Sequence, residues 1–281
     1  MYDEFPRGMR ELGYVEGKNF VIEWRYADGK NERLPGLAAE LVRLKVDVLV
    51  APANYAAHAA RQATTTIPIV TFMADPVGEG LVASLARPGG NITGLSMVPV
   101  NLGPKHLELL KTMAPAISRV AIVLNPGNST HPRTLSAVEA AAKKVGVQIL
   151  PVEASTSEEI EQGFAGLTRE RASAVIVPLD AFYFLQRRQL AELSLRHRLP
   201  SIFSYRESAE AGGLMSYGQD LAYFYRYMAT YVDRILKGAK PGELPIEQPT
   251  RIHFAINRKT AKALGLAIPQ ELLLRADEVI E

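Results

Sequence analysis

The chain has no cysteine in its 281 residues. That removes disulfides, thiolate metal sites and cysteine nucleophiles together, and it suits an oxidising compartment without requiring one. No stretch approaches the roughly 20 consecutive apolar residues of a membrane-spanning helix. Met1 leads straight into YDEFPRGMRELGY, which lacks the apolar segment of a secretion signal. Neither sign of charge is in real excess. Lys plus Arg number 32 against 30 for Asp plus Glu, a formal charge of +2, too small to argue for nucleic acid or anionic lipid as a partner. There is no run of like charge, no low-complexity tract and no proline-rich linker.

Catalytic signatures are missing as well. No serine sits in a GxSxG elbow, and no GxxxxGK[ST] loop is present. The pairs Gly89-Gly90 and Gly212-Gly213 lack the GxGxxG frame of a dinucleotide site. His58, His106, His131, His197 and His253 are scattered without paired-ligand spacing, so each reads as a surface or helix-face residue. No cofactor and no metal site are expected. The expectation is a binding protein rather than an enzyme, with acid–base chemistry by Asp75 and Asp180 as a rival.

What is present is repetition. VDVLVAPANYAAHAARQATTTIPIVTFMAD and SAVIVPLDAFYFLQRRQLAELSLRHRLPSIFSYRE share one plan. Each has an apolar strand, a polar residue (Asn54, Asp180), an amphipathic helix, a step into proline and a second apolar strand. Both passages then run into a Gly-Gly pair and a further strand. Alternating strands and helices imply parallel sheets with helices on both faces. The predicted fold is therefore α/β, two doubly wound parallel-sheet lobes joined by crossover segments, with a ligand cleft between them. At 281 residues each lobe has room for its own core. The expected division is 1–98 plus 219–247 for the first lobe and 99–218 plus 248–281 for the second.

Hydrophobic spacing predicts helices over 2–13, about 31–42, 55–63, 76–86, 101–113, 157–168, 181–197 and 220–237, and an alanine-rich helix ending at Gly146. Strands are predicted at 19–26, 46–50, 67–72, 92–96, 119–124, 147–153, 173–177, 200–204, 213–217 and 251–257. Ligands of open parallel sheets bind beyond the carboxyl ends of the strands. Asp75, before Pro76, is either a cap or an anion for a ligand ammonium. Asn54 either caps a helix or, with the free amides behind it, receives a ligand carboxylate. Asn125, in NPGNS, is the equivalent place in the second lobe. Asp180 precedes Phe182, Tyr183 and Phe184, a setting for a cation on an aromatic body. Ser204 ends another strand, and Tyr217 lies where the chain crosses back. Tyr223, Tyr227 and Tyr231 fall on one helix face and read as packing.

The segments RGMRELGYVEGKNFVIEWRYADG, TIPIVTFMADPVGEGLVASLARPGGNITGLS, GGLMSYGQD and the closing LGLAIPQELLLRADEVIE carry a resemblance across essentially the whole chain. It resembles the ABC-transporter substrate-binding proteins related to tryptophan and tyrosine receptors, which have the periplasmic-binding-protein type I fold. The resemblance implies a periplasmic or extracytoplasmic receptor for a small amphipathic or amino-acid-like ligand. Its partners would be an ABC permease and its ATPase subunits, with the membrane reached only through the permease. By position it marks Asp75, Thr93, Gly94, Asn125, Asp180 and Tyr217 as strand-end ligand contacts. It also implies a first strand ahead of the F..GMRELGY helix, so the first lobe is expected to lack that strand here. The same architecture serves the sensing modules of transcription regulators, which is the alternative reading.

Overall fold

The computed structural model describes residues 3–97 and 102–281. Tyr2 and residue 101, where two of the expected helices begin, lie outside them. The chain forms two compact units, Met1–Pro99 with Leu221–Thr250 and Val100–Asp220 with Arg251–Glu281.

In the first unit α1 (Glu4–Glu11) and α2 (Leu34–Arg43) precede β1 (Leu49–Val50), α3 (Asn54–Ala63), β2 (Ile69–Ala74) and β3 (Ile92–Met97). The three strands form one parallel sheet in the order β1-β2-β3. Leu49, Ile69, Met73 and Ile92 pack with Ala57 and Ala60 of α3 into its core. Two expectations fail here. Residues 21–27 form no strand, and 76–86 form turns rather than a helix. The first segment alternates as a strand should, and the Trp24 and Tyr26 rings stack at 5.9 Å, but it finds no ladder partner among the described residues. In the second, Gly80 has a φ of +69° and Asp75 a φ of +44°, so the chain keeps turning.

The second unit runs α4 (Gly103–Met113), β4 (Arg119–Leu124), α5 (His131–Lys144), β5 (Gln148–Glu153), α6 (Ser157–Arg169) and β6 (Ala174–Val177). Then come α7 (Ala181–Leu185), α8 (Arg187–Arg196), β7 (Ser201–Phe203), α9 (Arg206–Glu210) and β8 (Met215–Gln219). The single helix expected over 181–197 is thus two, interrupted at Gln186. After α10 (Leu221–Leu236) in the first unit, the second unit is completed by β9 (Ile252–Asn257), α11 (Arg258–Leu264), α12 (Gln270–Arg275) and β10 (Glu278–Ile280).

Its seven strands are ordered β10-β9-β8-β7-β6-β4-β5. The sheet is mixed rather than wholly parallel, since β9 runs antiparallel to β8. Val120, Ile122 and Leu124 enter one core while Ala121 and Val123 enter the other, so β4 is buried on both faces. That double burial is why its sequence is continuously apolar. The chain steps from β4 outward to β5, then returns to β6 on the other side of β4. The strand order therefore reverses between β4 and β6, the place where open sheets leave a crevice for ligand.

Candidate functional site

The first unit gathers polar groups beyond the ends of β1 and β2. Ala53, directly before α3, adopts φ 72° and ψ 159°, a conformation natural to glycine. Its amide still reaches Phe72 O at 2.8 Å. Asn54 does not cap α3. Its Nδ2 donates to Ala74 O and its Oδ1 accepts from Ala74 N, each at 3.0 Å. The side chain thereby ties the start of α3 to the end of β2. The first-turn amides of α3, which have no intrahelical acceptors, stand beside that tie.

Asp75 follows directly, exposed and in a left-handed conformation. Its Oδ1 accepts from Gly78 N at 3.0 Å, and a Cβ at Gly78 would lie 2.2 Å from Oδ2. Only glycine leaves room for the carboxylate to fold over that turn. Nearby, His58 Nε2 and Glu79 Oε2 approach to 2.8 Å. Strain of this kind is costly, on the order of 1–3 kcal/mol per residue, and concentrates at functional sites. Two strained residues at adjacent strand ends mark this place.

Thr93 and Gly94 are not part of it. They are the second and third residues of β3, paired with Val70 and Thr71, well before the strand's carboxyl end. Thr93 is fully buried and its Oγ1 donates to Leu244 O at 2.8 Å. Gly94 is required because a Cβ there would meet Thr71 O at 2.0 Å. Both are structural.

In the second unit, Asn125 beyond β4 and Asp180 beyond β6 meet at the strand-order reversal. Asp180 is 5% exposed. Its Oδ1 accepts from the amides of Phe182 at 2.8 Å and Tyr183 at 3.2 Å, capping α7. Its Oδ2 accepts from Asn128 Nδ2 at 2.8 Å and Asn125 Nδ2 at 3.2 Å. The amide orientations are dictated locally, since Asn125 Oδ1 accepts from Gly127 N and Asn128 Oδ1 from Thr130 N. This carboxylate is already surrounded by donors and has little capacity for an ammonium, which corrects the expected role of Asp180.

Tyr183 is likewise corrected. Its ring is buried in the core with Ala154, Phe164 and Val177, and its hydroxyl donates to Ala154 O at 2.8 Å. Burial pushes that phenol far above its ordinary range. Ser204 follows β7 directly but is 2% exposed, and its carbonyl oxygen would lie 1.8 Å from a Cβ at Gly218. Tyr217 sits mid-strand in β8, half-buried, its ring edge-on to Phe254 and His106. Phe182 and Phe184 remain half-buried around Asp180, and the Tyr205 ring packs edge-on to Phe184 at 5.0 Å.

Sequence reading missed two residues. His131, expected to be a surface or helix-face residue, is 2% exposed and belongs to the Asn125–Asp180 cluster. Its signal was its position, the first residue of α5 directly after NPGNST. The other is Tyr205, directly after Ser204 and outside the expected site residues. A separate groove of about 610 Å³ lies between α4 and α5, lined by Pro104, Leu107, Ala137 and Ala141. Its rim carboxylate Glu108 already pairs with Lys105 and Arg275, so the strand ends are the better seat for a charged ligand.

A family model described as ABC transporter substrate binding protein matches residues 1–280. A tyrosine-binding protein of Clostridioides difficile is 28% identical over 264 residues, covering 93% of this chain and 75% of that protein. Among solved structures, a conserved domain protein of Vibrio cholerae is 29% identical with a TM-score of 0.87, covering 99% of this chain and 95% of that one. An ABC domain from Streptococcus pneumonia, solved in complex with L-Trp, is 26% identical with a TM-score of 0.88, covering 99% and 94%.

Proposed function

Since the chain belongs to the ABC transporter substrate binding protein family, we propose that it is the solute receptor of an ABC importer, with an aromatic or otherwise amphipathic amino acid as its ligand. It would work outside the cytoplasmic membrane and pass the solute to a permease driven by ATPase subunits. The names of its relatives support the ligand class, one being a tyrosine-binding protein and another an L-Trp complex.

The observation that carries the reading is the pairing at the ends of β1 and β2. An exposed carboxylate, Asp75, stands next to the first-turn amides of α3, held there by Asn54 on Ala74. An α-amino acid carries its ammonium and carboxylate on one carbon. The ammonium suits Asp75, and the carboxylate suits a helix N-terminus. Within the second unit, Asn125 and the charge-compensated Asp180 present polar edges beside the half-buried rings of Phe182 and Phe184.

The reading is tested by calorimetry with L-tyrosine and L-tryptophan. At least one should bind, and Asp75→Ala should weaken it by about tenfold or more, equivalent to roughly 1.4 kcal/mol. Binding that is absent for both amino acids, or equal in the variant, would remove the assignment.

A further inference from the structure

We infer that His131 is a positioning residue for the second unit's strand-end cluster, acting as a neutral imidazole with its proton on Nε2. The inference rests on the receptor reading only for its ligand-binding consequence. Its structural part stands alone.

The two ring nitrogens have opposite surroundings. Asn125 N, a backbone donor with one proton, points at Nδ1 over 2.8 Å, so Nδ1 must offer a lone pair. Nε2 lies 3.2 Å from Leu179 O, which can only accept, so Nε2 must carry the proton. The pair of contacts admits a single tautomer. A second proton on Nδ1 would set N–H against N–H. The ring is also the first residue of α5, where the helix dipole disfavours a cation, and it is buried against Tyr183, with ring planes 20° apart at 5.9 Å. Opposing these is Asp180 Oδ2 at 3.9 Å, the charged group that faces it from α7. Burial outweighs that carboxylate and the Leu179 carbonyl, holding the imidazole below its ordinary range.

The consequence is geometric. Asn125 belongs to the end of β4 and Leu179 to the end of β6, the strands on either side of the order reversal. A ring bonded to both sets the spacing at which Asn125 and Asn128 reach Asp180. Protonation breaks the Asn125 bond, so the cluster loses its spacing in acid. Tyr183, stacked on the ring, and Tyr205, whose phenol lies within the influence of Asp180, are the titratable phenols that face this cluster.

Ring-nitrogen NMR on ligand-free protein tests the first part. It should show Nδ1 bare and Nε2 protonated, persisting below the pH at which a free imidazole becomes charged. A proton on Nδ1, or ordinary titration, would overturn the inference. Affinity for L-tyrosine or L-tryptophan across pH tests the second. His131→Gln, whose amide can accept from Asn125 and donate to Leu179, should keep neutral-pH affinity and lose part of the acid decline. His131→Ala should lose about tenfold at neutral pH and shift the Asn125 amide signal. Wild-type affinity and an unmoved Asn125 signal in His131→Ala would refute the positioning role. If His131→Ala does not fold, an acid decline as steep in His131→Gln as in wild type refutes it instead. Should neither amino acid bind, the receptor reading falls, and the nitrogen spectrum with the Asn125 signal still decides the role of His131.

Discussion

Asp75 and Asp180 both lie beyond strand ends, yet solvent reaches one and hydrogen-bond donors enclose the other. Their variants should therefore separate. Asp180→Ala removes the cap of α7 and leaves the Asn125 and Asn128 amides without their acceptor. Denaturant unfolding should report a loss of about 2–4 kcal/mol. Asp75→Ala should change stability by less than about 1 kcal/mol, its cost appearing in ligand affinity. Equal stability losses would mean that Asp75 is also a structural anchor. A second residue-scale effect concerns His106, whose Nε2 donates to Tyr217 O at 2.6 Å. Complete burial lowers its pKa to about 4. The folded form then binds fewer protons than the unfolded chain, so stability is full above about pH 6.5 and falls as pH drops toward 4. The loss should reach roughly 3 kcal/mol. His106→Gln should flatten that limb of a pH–stability curve, and an unchanged slope would assign it to other groups. Which aspartate is exposed and which histidines are buried was not legible in the sequence, because both depend on groups brought from distant segments.

At the scale of elements, legibility followed burial. Strand 119–124 and the long helices were readable because they carry uninterrupted apolar runs or stripes. The short α9, α11 and α12 were not, having too few turns to show a period. The tyrosine stripe was readable as packing, and the structure adds its partner. Tyr227 Oη donates to Glu247 Oε2 at 2.7 Å and Tyr231 Oη to Pro245 O at 2.8 Å, clasping the chain that follows α10. Residues 19–26 misled because alternation reports which side each residue faces, not whether a neighbouring strand exists to bond it. The same shortage shows at β1. Leu49 N and Ala51 N bond to Pro68 O and Val70 O, which turns the Val50 amide away from β2, where no acceptor meets it among the described residues. Hydrogen exchange should be markedly faster at Val50 than at Leu49 or Ala51. Equal protection at all three would mean that this edge is covered in solution.

For the molecule as a whole, duplication in the sequence was enough to anticipate two α/β units, each with its own core. It did not reveal their inequality, three strands in one sheet and seven in the other among the described residues. Nor did it reveal the antiparallel β9, since a lone strand after a helix carries no sign of its direction. The stacked Trp24–Tyr26 pair has a practical consequence at this scale. Trp24 is the chain's only tryptophan, and it is 38% exposed. Indole emission therefore comes from one place, the outer stretch of the first unit, with a tyrosine ring against it. L-tyrosine is the convenient titrant, because it adds no indole of its own. If its binding alters segment 21–27, the emission maximum or intensity should move in step with calorimetric saturation. Heat without any optical change would make that stretch a bystander to binding.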